Sequence, residues 1–181
     1  MKNKLKKIKK NYEEINKTYI IGFVILTLNK VVEGFIMNDI DTTKTISLLD
    51  DVVKYELCGV VKYTHFALMV TGPNRISLDK FFKEQASESL EHAQRAGELL
   101  TGLGGHPSQV IPKIEDNNLH TIKNLLNESL EHEKKAIDLY KQLLICAEGK
   151  SLYLEEYARE MITEEEMHSI EIKKMLRDYE V

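Results

Sequence analysis

Three carboxylate side chains interrupt otherwise apolar stripes at helical spacing in this 181-residue sequence: Glu56, Glu133 and Glu165. Each stripe repeats at alternating intervals of four and three residues, which is typical of the core-facing side of a helix. The stripes are Leu49, Val53, Glu56, Val60, Tyr63, Ala67 and Val70; Leu126, Leu130, Glu133, Ile137, Tyr140 and Leu144; and Leu154, Ala158, Met161, Glu165, His168, Ile172 and Met175. Because an isolated ionised carboxylate in a core is very costly, three that converge near the middle of a bundle predict a bound cation or a network of shared protons.

Two histidines belong to the same pattern. His168 follows Glu165 by three residues, so the two side chains share a helix face. In another segment, His92 shares a stripe with Glu88, whereas Ser89 lies on a neighbouring stripe. The first of these stripes also carries Phe81, Leu99 and Leu103, and the second carries Ala93, Ala96 and Leu100. Four carboxylates and two imidazoles suit iron or manganese, with zinc as a competitor, and bridging carboxylates would hold two ions close together beside positions for oxygen or peroxide.

Four long helical segments must position these side chains. The periodic pattern predicts helices at about 45–70, 76–102, 120–147 and 152–179, and glycines follow the first three. Two short links and one long middle link, which contains Pro107 and Pro112, predict an all-α four-helix bundle with one long crossover connection. The chain has only nine glycines and three prolines, which argues against a many-turned β-sandwich or barrel.

The amino-terminal part differs in charge from the rest of the chain. Six lysines and no acids lie within residues 1–10, although the whole chain has a net charge of −4. We interpret residues 1–45 as a helical amino-terminal extension and residues 46–181 as the bundle. The lysines predict either a solvated terminus or an arm that binds an anionic surface such as DNA.

The apolar residues 19–28 follow this lead and are similar to the hydrophobic part of a signal peptide. They are too few to span a bilayer, and no small-residue cleavage site follows them. We therefore expect a cytoplasmic protein, with export or membrane attachment as the minor alternative. Cys58 and Cys146 lie in apolar helical runs without the spacing of a metal or redox motif, which predicts buried free thiols.

The layout resembles the ferritin-like di-iron carboxylate superfamily, and within it the bacterioferritin and Dps-like branch most. The resemblance covers residues 46–179 and includes the runs Glu91-His92-Ala93, Leu103-Gly104-Gly105-His106-Pro107 and Glu164-Glu165-Glu166-Met167-His168. It implies that the metal ligands are Glu56, His92, Glu133, Glu165 and His168, with Tyr63 as a redox-active or hydrogen-bonding tyrosine. It also implies a di-iron or di-manganese centre in a homo-oligomer that oxidises Fe(II) with oxygen or peroxide, for iron storage or detoxification.

Three other functions fit the same residues. A Dps-like assembly would protect DNA through the lysine-rich terminus. A manganese catalase or a rubrerythrin-like peroxidase would remove peroxide. A purely structural bundle would share protons among its buried acids.

The sequence departs from the family pattern in the second helix. The family has a glutamate three residues before the helix-two histidine, and here that residue is Ser89. Glu88, four residues before His92, could reach the metals directly or through a π-bulge. We predict Glu88 as the second bridging ligand, and a damaged centre with one metal or none is the alternative. Bacterioferritins bind haem through a methionine where this chain has Leu90, so no haem ligated by methionine is expected.

Helix three offers a choice of ligand. Glu131 lies about 200° around the helix from Glu133, so the heptad favours Glu133. His132 lies about 100° off the stripe and is expected to be exposed. Three further histidines are expected at the surface or in loops, without an assigned role: His65, His106 and His120.

Overall fold

The computed structural model describes residues 40–115 and 118–179, and this part of the chain contains helices and no strand. The helices are α1 (Thr42–Met69), α2 (Arg75–Gly102), α3 (Ile122–Ala147) and α4 (Leu152–Leu176), followed by a 3₁₀ turn at Arg177–Tyr179. The longest connection joins α2 to α3. The predicted all-α bundle of four helices with one long connection is therefore confirmed.

Capping side chains determine where two of the helices begin. Asp41 accepts a hydrogen bond from the amide of Lys44 (2.9 Å), so α1 begins three residues before the predicted start. Thr121 accepts one from the amide of Asn124 (3.2 Å), so α3 begins two residues after the predicted start. Each cap satisfies an amide that has no acceptor within its own helix.

Two apolar clusters form the core, and buried polar residues separate them on every helix. Helix α1 packs along α2, α3 packs along α4, and α1 also packs against α3. The first cluster includes Leu49, Val52, Ala96, Leu100, Tyr140 and Met161; the second includes Phe66, Val70, Phe82, Leu125, Leu126 and Ile172. The polar residues between them are Glu56, Gln85, Ser89, His92, Ser129, His132, Glu133, Glu165 and Ser169. The fold thus places a polar layer inside an otherwise apolar bundle.

The buried face of α2 differs from the predicted stripe. The prediction joined His92 with four residues that are only partly buried: Phe81, Glu88, Leu99 and Leu103. The core side is instead the neighbouring stripe of mostly small residues, with His92 beside it: Ser89, Ala93, Ala96 and Leu100. Helix α2 is α-helical throughout, so no π-bulge turns Glu88 inward.

Three further predictions concern the amino-terminal extension, the membrane and the two cysteines. Residues 1–39, with the lysine-rich lead and the apolar stretch, lie outside the described residues. None of the helices in the described ranges combines the length and the apolar character needed to cross a membrane. Cys58 and Cys146 are buried free thiols, as predicted.

Candidate metal centre

Five predicted ligands meet in the polar layer: Glu56 from α1, His92 from α2, Glu133 from α3, and Glu165 and His168 from α4. They form two groups that share Glu165. The first group contains Glu56 and His92, and the second contains Glu133 and His168. Within each group the potential ligand atoms lie within 4.8 Å of one another. Each group therefore offers two carboxylates and one imidazole to a single ion.

Glu165 turns one oxygen toward each histidine. Its Oε1 lies 3.0 Å from His92 Nδ1, and its Oε2 lies 3.2 Å from His168 Nδ1. Glu56 Oε1 lies 3.7 Å from His92 Nδ1, and Glu133 Oε2 lies 3.8 Å from His168 Nδ1. The two halves of the cluster match each other around Glu165, with one histidine and one further acid on each side.

Two buried tyrosines hold the flanking acids in a crosswise arrangement. Tyr140 on α3 donates a hydrogen bond of 2.8 Å to Glu56 on α1. Tyr63 on α1 donates one to Glu133 on α3. Each hydroxyl occupies one carboxylate oxygen and so fixes the direction in which the other oxygen points. The heptad placed both tyrosines in the core, but their crosswise pairing becomes visible only in the fold.

Each histidine also contacts an acid at the rim of the cluster through its second ring nitrogen. His92 Nε2 lies 3.1 Å from Glu164 Oε2, and His168 Nε2 lies 3.3 Å from Glu88 Oε2. The side chains of Glu164 and Glu88 are 34 % and 46 % exposed. A carboxylate on the second nitrogen of a ligating imidazole orients the ring. Sequence reasoning missed Glu164, because it lies beside the core stripe of α4 rather than on it.

Glu88 occupies the same position relative to His168 that Glu164 occupies relative to His92. The bridging role predicted for Glu88 requires its carboxylate to turn inward from this contact. Ser89 is itself buried in the polar layer but offers only a hydroxyl. The two roles of Glu88, as an orienting acid or as a bridging ligand, lead to different numbers of bound ions when it is removed.

We expect Glu88→Ala to lower metal affinity by about 10- to 100-fold while two ions per chain still bind, because an orienting acid is lost and no ligand is. Glu164→Ala is the matched comparison, since Glu164 makes the equivalent contact with His92. Anaerobic titration of the metal-free chain with Fe(II) measures affinity and stoichiometry in both variants. Loss of one ion in Glu88→Ala alone would show instead that Glu88 bridges the ions.

The cluster carries protons when no metal is bound. Burial raises the pKa of Glu56, and burial together with the contact to Glu165 raises the pKa of Glu133. Burial would lower the pKa of His92 and His168, but their contacts with the acids outweigh it and raise both values to about 10. Burial would likewise raise the pKa of Glu165, but hydrogen bonds with its neighbours hold it well below the ordinary value. The metal-free cluster thus holds an ionised Glu165 between two imidazolium ions at neutral pH.

The donor set fits a cation that prefers oxygen and nitrogen ligands. Among the described residues, no lysine or arginine pairs with Glu56, Glu133 or Glu165, so their charge is balanced by protons or by bound metal. Carboxylate and imidazole donors suit iron, manganese or zinc. The buried cluster thus has the ligand atoms and the spacing that a metal ion of this type requires.

The prediction that His132 is exposed is wrong. The ring is 3 % exposed and stacks on Tyr55, with centroids 4.4 Å apart and planes 12° from parallel. Neither ring nitrogen has a hydrogen-bond partner among the described residues, and burial lowers the pKa to about 3, so the ring is neutral. The signal that predicts its burial is a second stripe on α3: Leu125, Ser129, His132, Ala136 and Leu143. The buried face of a bundle helix is wider than one heptad seam.

Gly59 makes room for this histidine. A Cβ atom at residue 59 would lie 2.6 Å from His132 Nε2 and 2.7 Å from Ser89 Oγ. We expect Gly59→Ala to lower the free energy of unfolding by about 1–3 kcal/mol through overpacking, as measured by urea unfolding of the metal-free chain. Gly97→Ala is the control, because its Cβ would meet only Val53 Cγ2 at 4.0 Å. The free energy of unfolding of Gly97→Ala should rise by about 0.5–1 kcal/mol. Equal effects of the two variants would contradict this packing.

A family model described as a ferritin-like domain matches residues 46–180 of the chain. This range includes all four helices except the first turn of α1. The chain matches no curated protein sequence at a significant level.

Solved structures with the same fold come from several bacteria. A ferritin-like di-iron carboxylate protein of Bacillus anthracis has 24 % identity and a TM-score of 0.71, over 75 % of this chain and 97 % of that one. A dodecameric thioferritin, the bacterioferritin-related protein of Bacteroides fragilis, has 25 % identity and a TM-score of 0.67, over 77 % of this chain and 88 % of that one. A Dps protein of Bacillus brevis has 18 % identity and a TM-score of 0.68, over 75 % of this chain and 96 % of that one. The bundle is therefore the one that the sequence predicted.

Proposed function

Because this chain belongs to the ferritin-like family, we propose that its buried cluster binds two iron ions and oxidises Fe(II), with oxygen or peroxide as the electron acceptor. The observation that carries the proposal is the position of Glu165, whose two oxygens face two different histidines at 3.0 and 3.2 Å. A carboxylate shared in this way is suited to join two ions held close together.

Fe(II) is the substrate of the proposed reaction and supplies the electrons that reduce oxygen or peroxide. Glu56 and His92 hold one ion, Glu133 and His168 hold the other, and Glu165 serves both. The partly exposed acids Glu88 and Glu164 lie between the surface and the histidines. Their negative charge favours the entry of a cation from solvent.

Other residues of the chain prepare the ligands. Tyr140 and Tyr63 hold the carboxylates of Glu56 and Glu133 in one direction each. The hydrogen bond from Tyr63 to Glu133 supports an orienting role for Tyr63. The two imidazoles must lose a proton before they can bind metal. Apolar clusters on both sides of the polar layer exclude water, which strengthens the electrostatic interactions inside it.

Anaerobic titration with Fe(II), followed by a pulse of oxygen or peroxide, tests ferroxidation. We expect ferric absorbance that saturates at two Fe(II) per chain. Glu133→Ala should lose this signal, whereas Glu131→Ala should keep it, because Glu131 is exposed on the same helix. Ferric absorbance no greater than that of iron in buffer alone would contradict the proposal.

Metal analysis of the purified protein tests the choice of metal. We expect iron in the central cluster, with zinc as a competing ion. Bound manganese, together with disproportionation of peroxide and no oxidation of Fe(II), would instead indicate a manganese catalase. Peroxide reduction without accumulation of ferric iron would indicate a rubrerythrin-like peroxidase.

The chain is also proposed to form a homo-oligomer. Large apolar side chains are exposed on all four helices, and a second copy could cover them: Leu68, Ile76, Ile145, Leu152 and Tyr153. The related protein of Bacteroides fragilis is described as dodecameric. Light scattering during gel filtration measures the mass, and a species of 20.9 kDa would contradict this proposal.

A Dps-like assembly that binds DNA is the second candidate function. It is favoured by the six lysines within residues 1–10 and by the similarity of the bundle to a Dps protein. We expect a gel shift with duplex DNA that weakens as salt rises, because lysines that neutralise phosphates release counterions. Deletion of residues 1–10 should remove the shift, and an undiminished shift would contradict this role for the lysines.

A further inference from the structure

A second pair of imidazoles lies outside the central cluster. His65 on α1 and His120, in the connection that leads into α3, place their Nε2 atoms 3.2 Å apart. Their ring centroids are 5.2 Å apart, and the ring planes meet at 60°. Both histidines are partly buried, although no pattern in the sequence indicates that they meet. They lie 55 residues apart in the chain, so the fold alone creates this contact.

We propose that His65 and His120 bind a divalent transition-metal ion of the zinc type, at a site independent of the central cluster. Zinc lies about 2.0–2.1 Å from an imidazole nitrogen. Two nitrogens 3.2 Å apart then subtend an angle of about 100° at a single ion, close to the tetrahedral angle. The distance between the two nitrogens is therefore that of neighbouring ligands of one ion.

The surroundings of the pair favour this ion over others. The rings line a cavity of about 250 Å³, and Glu115 and Glu128 line it too. Solvent water or these acids complete the coordination. Two imidazoles with oxygen donors suit zinc rather than magnesium or calcium, and such sites bind zinc more tightly than Fe(II). Lys62 also lines the cavity, and its ammonium lies over the Phe66 ring, 5.8 Å from the centroid.

A bound ion would tie the long connection to the bundle. His120 immediately precedes Thr121, which caps α3, and His65 is fixed within α1. An ion held by both joins two elements that are far apart in the sequence. Because the ion binds the folded chain and not the unfolded one, it should raise the melting temperature.

Zinc titration of the full chain tests the proposal, with a chromophoric chelator as competitor. We expect His65→Ala and His120→Ala each to bind one Zn²⁺ per chain fewer than the unmodified chain. His106→Ala is the matched control, because His106 is an exposed histidine of the same connection, and it should bind as many ions as the unmodified chain. Equal stoichiometry in all four proteins would overturn the proposal and leave the pair as an N–H···N hydrogen bond.

A second experiment separates this site from the central cluster. In a chain that carries Glu165→Gln and His168→Gln, we expect one Co²⁺ to remain bound, with the visible absorption of a tetrahedral nitrogen and oxygen site. Adding His65→Gln, which keeps the size and polarity of the side chain, should remove that absorption without unfolding the protein. Retention of the signal in the combined variant, with helical circular dichroism intact, would overturn the proposal.

Discussion

Replacing Glu165 with alanine should abolish the binding of both iron ions. Glu165 belongs to both ligand groups, with one oxygen near His92 and the other near His168. Loss of an orienting acid already lowers metal affinity by about 10- to 100-fold, so loss of a shared ligand should cost more than about 100-fold. Anaerobic equilibrium dialysis with Fe(II) should show two ions per unmodified chain and none per variant chain.

The stability of the variant must be separated from its metal binding. Removal of Glu165 leaves the buried imidazolium of His92 and the partly buried one of His168 without their shared partner, and breaking a buried ion pair costs about 3–5 kcal/mol. Glu165→Gln keeps the volume of the side chain and should be measured beside the alanine variant. Glu166→Ala is the control, because Glu166 is exposed on the same helix. A folded Glu165→Gln chain that still binds two ions would contradict the shared role.

Iron binding should tighten steeply as the pH rises from 6 to 8. In the metal-free chain the pKa of His92 and of His168 is about 10, since contacts with acids outweigh burial. Both rings are therefore protonated across this range, and each must become neutral to bind metal. Affinity for each ion should rise about tenfold per pH unit for each proton displaced. Anaerobic titrations with Fe(II) at pH 6, 7 and 8 measure this slope, and a flat profile would contradict it.

Without metal, the folded chain should lose stability as the pH rises. The raised pKa of His92 and His168 gives a stabilising contribution that is complete below about pH 6.5 and is lost as the pH passes about 10. The raised pKa of Glu56 and Glu133 acts in the same direction from about pH 4.5 upward. Glu165 has a lowered pKa, so its contribution is lost only as the pH falls below about 4.5. The urea midpoint should therefore fall between pH 6 and pH 10 in the presence of a chelator, and a rising midpoint would contradict this account.

The inward position of the acids could be predicted because it depends on periodicity within single helices. Glu56, Glu133 and Glu165 each stand on a stripe of large apolar residues, which identifies the buried side without knowledge of the partner helix. The exposed position of Glu131 follows from the same argument, since it lies opposite Glu133. The early start of α1 could also have been read from the sequence, since Asp41 is a typical cap.

The errors arose where polar or small residues form the buried face. On α2 the core stripe contains Ser89, Ala93 and Ala96, which give a weaker hydrophobic signal than the partly buried Leu99. The position of His132 off the heptad seam predicts an exposed ring, yet the ring packs against Tyr55. Such contacts depend on the distance between helices, which periodicity within one helix does not determine.

The contacts that the sequence could not predict join different elements. Glu164 meets the outer nitrogen of His92 across two helices, and His65 meets His120 across the long connection. Helical spacing determines only which side chains share a face of one helix. These contacts depend on how the helices and the connection pack together, which only the folded structure shows.

Anomalous scattering at the iron edge, from crystals of the chain loaded anaerobically with Fe(II), tests the central claim most directly. The proposed function predicts two peaks per chain about 3.5–4 Å apart, one beside Glu56 and His92 and the other beside Glu133 and His168. Glu165 should lie between the two peaks. The absence of any peak in this polar layer, or a single peak there, would contradict a two-iron centre.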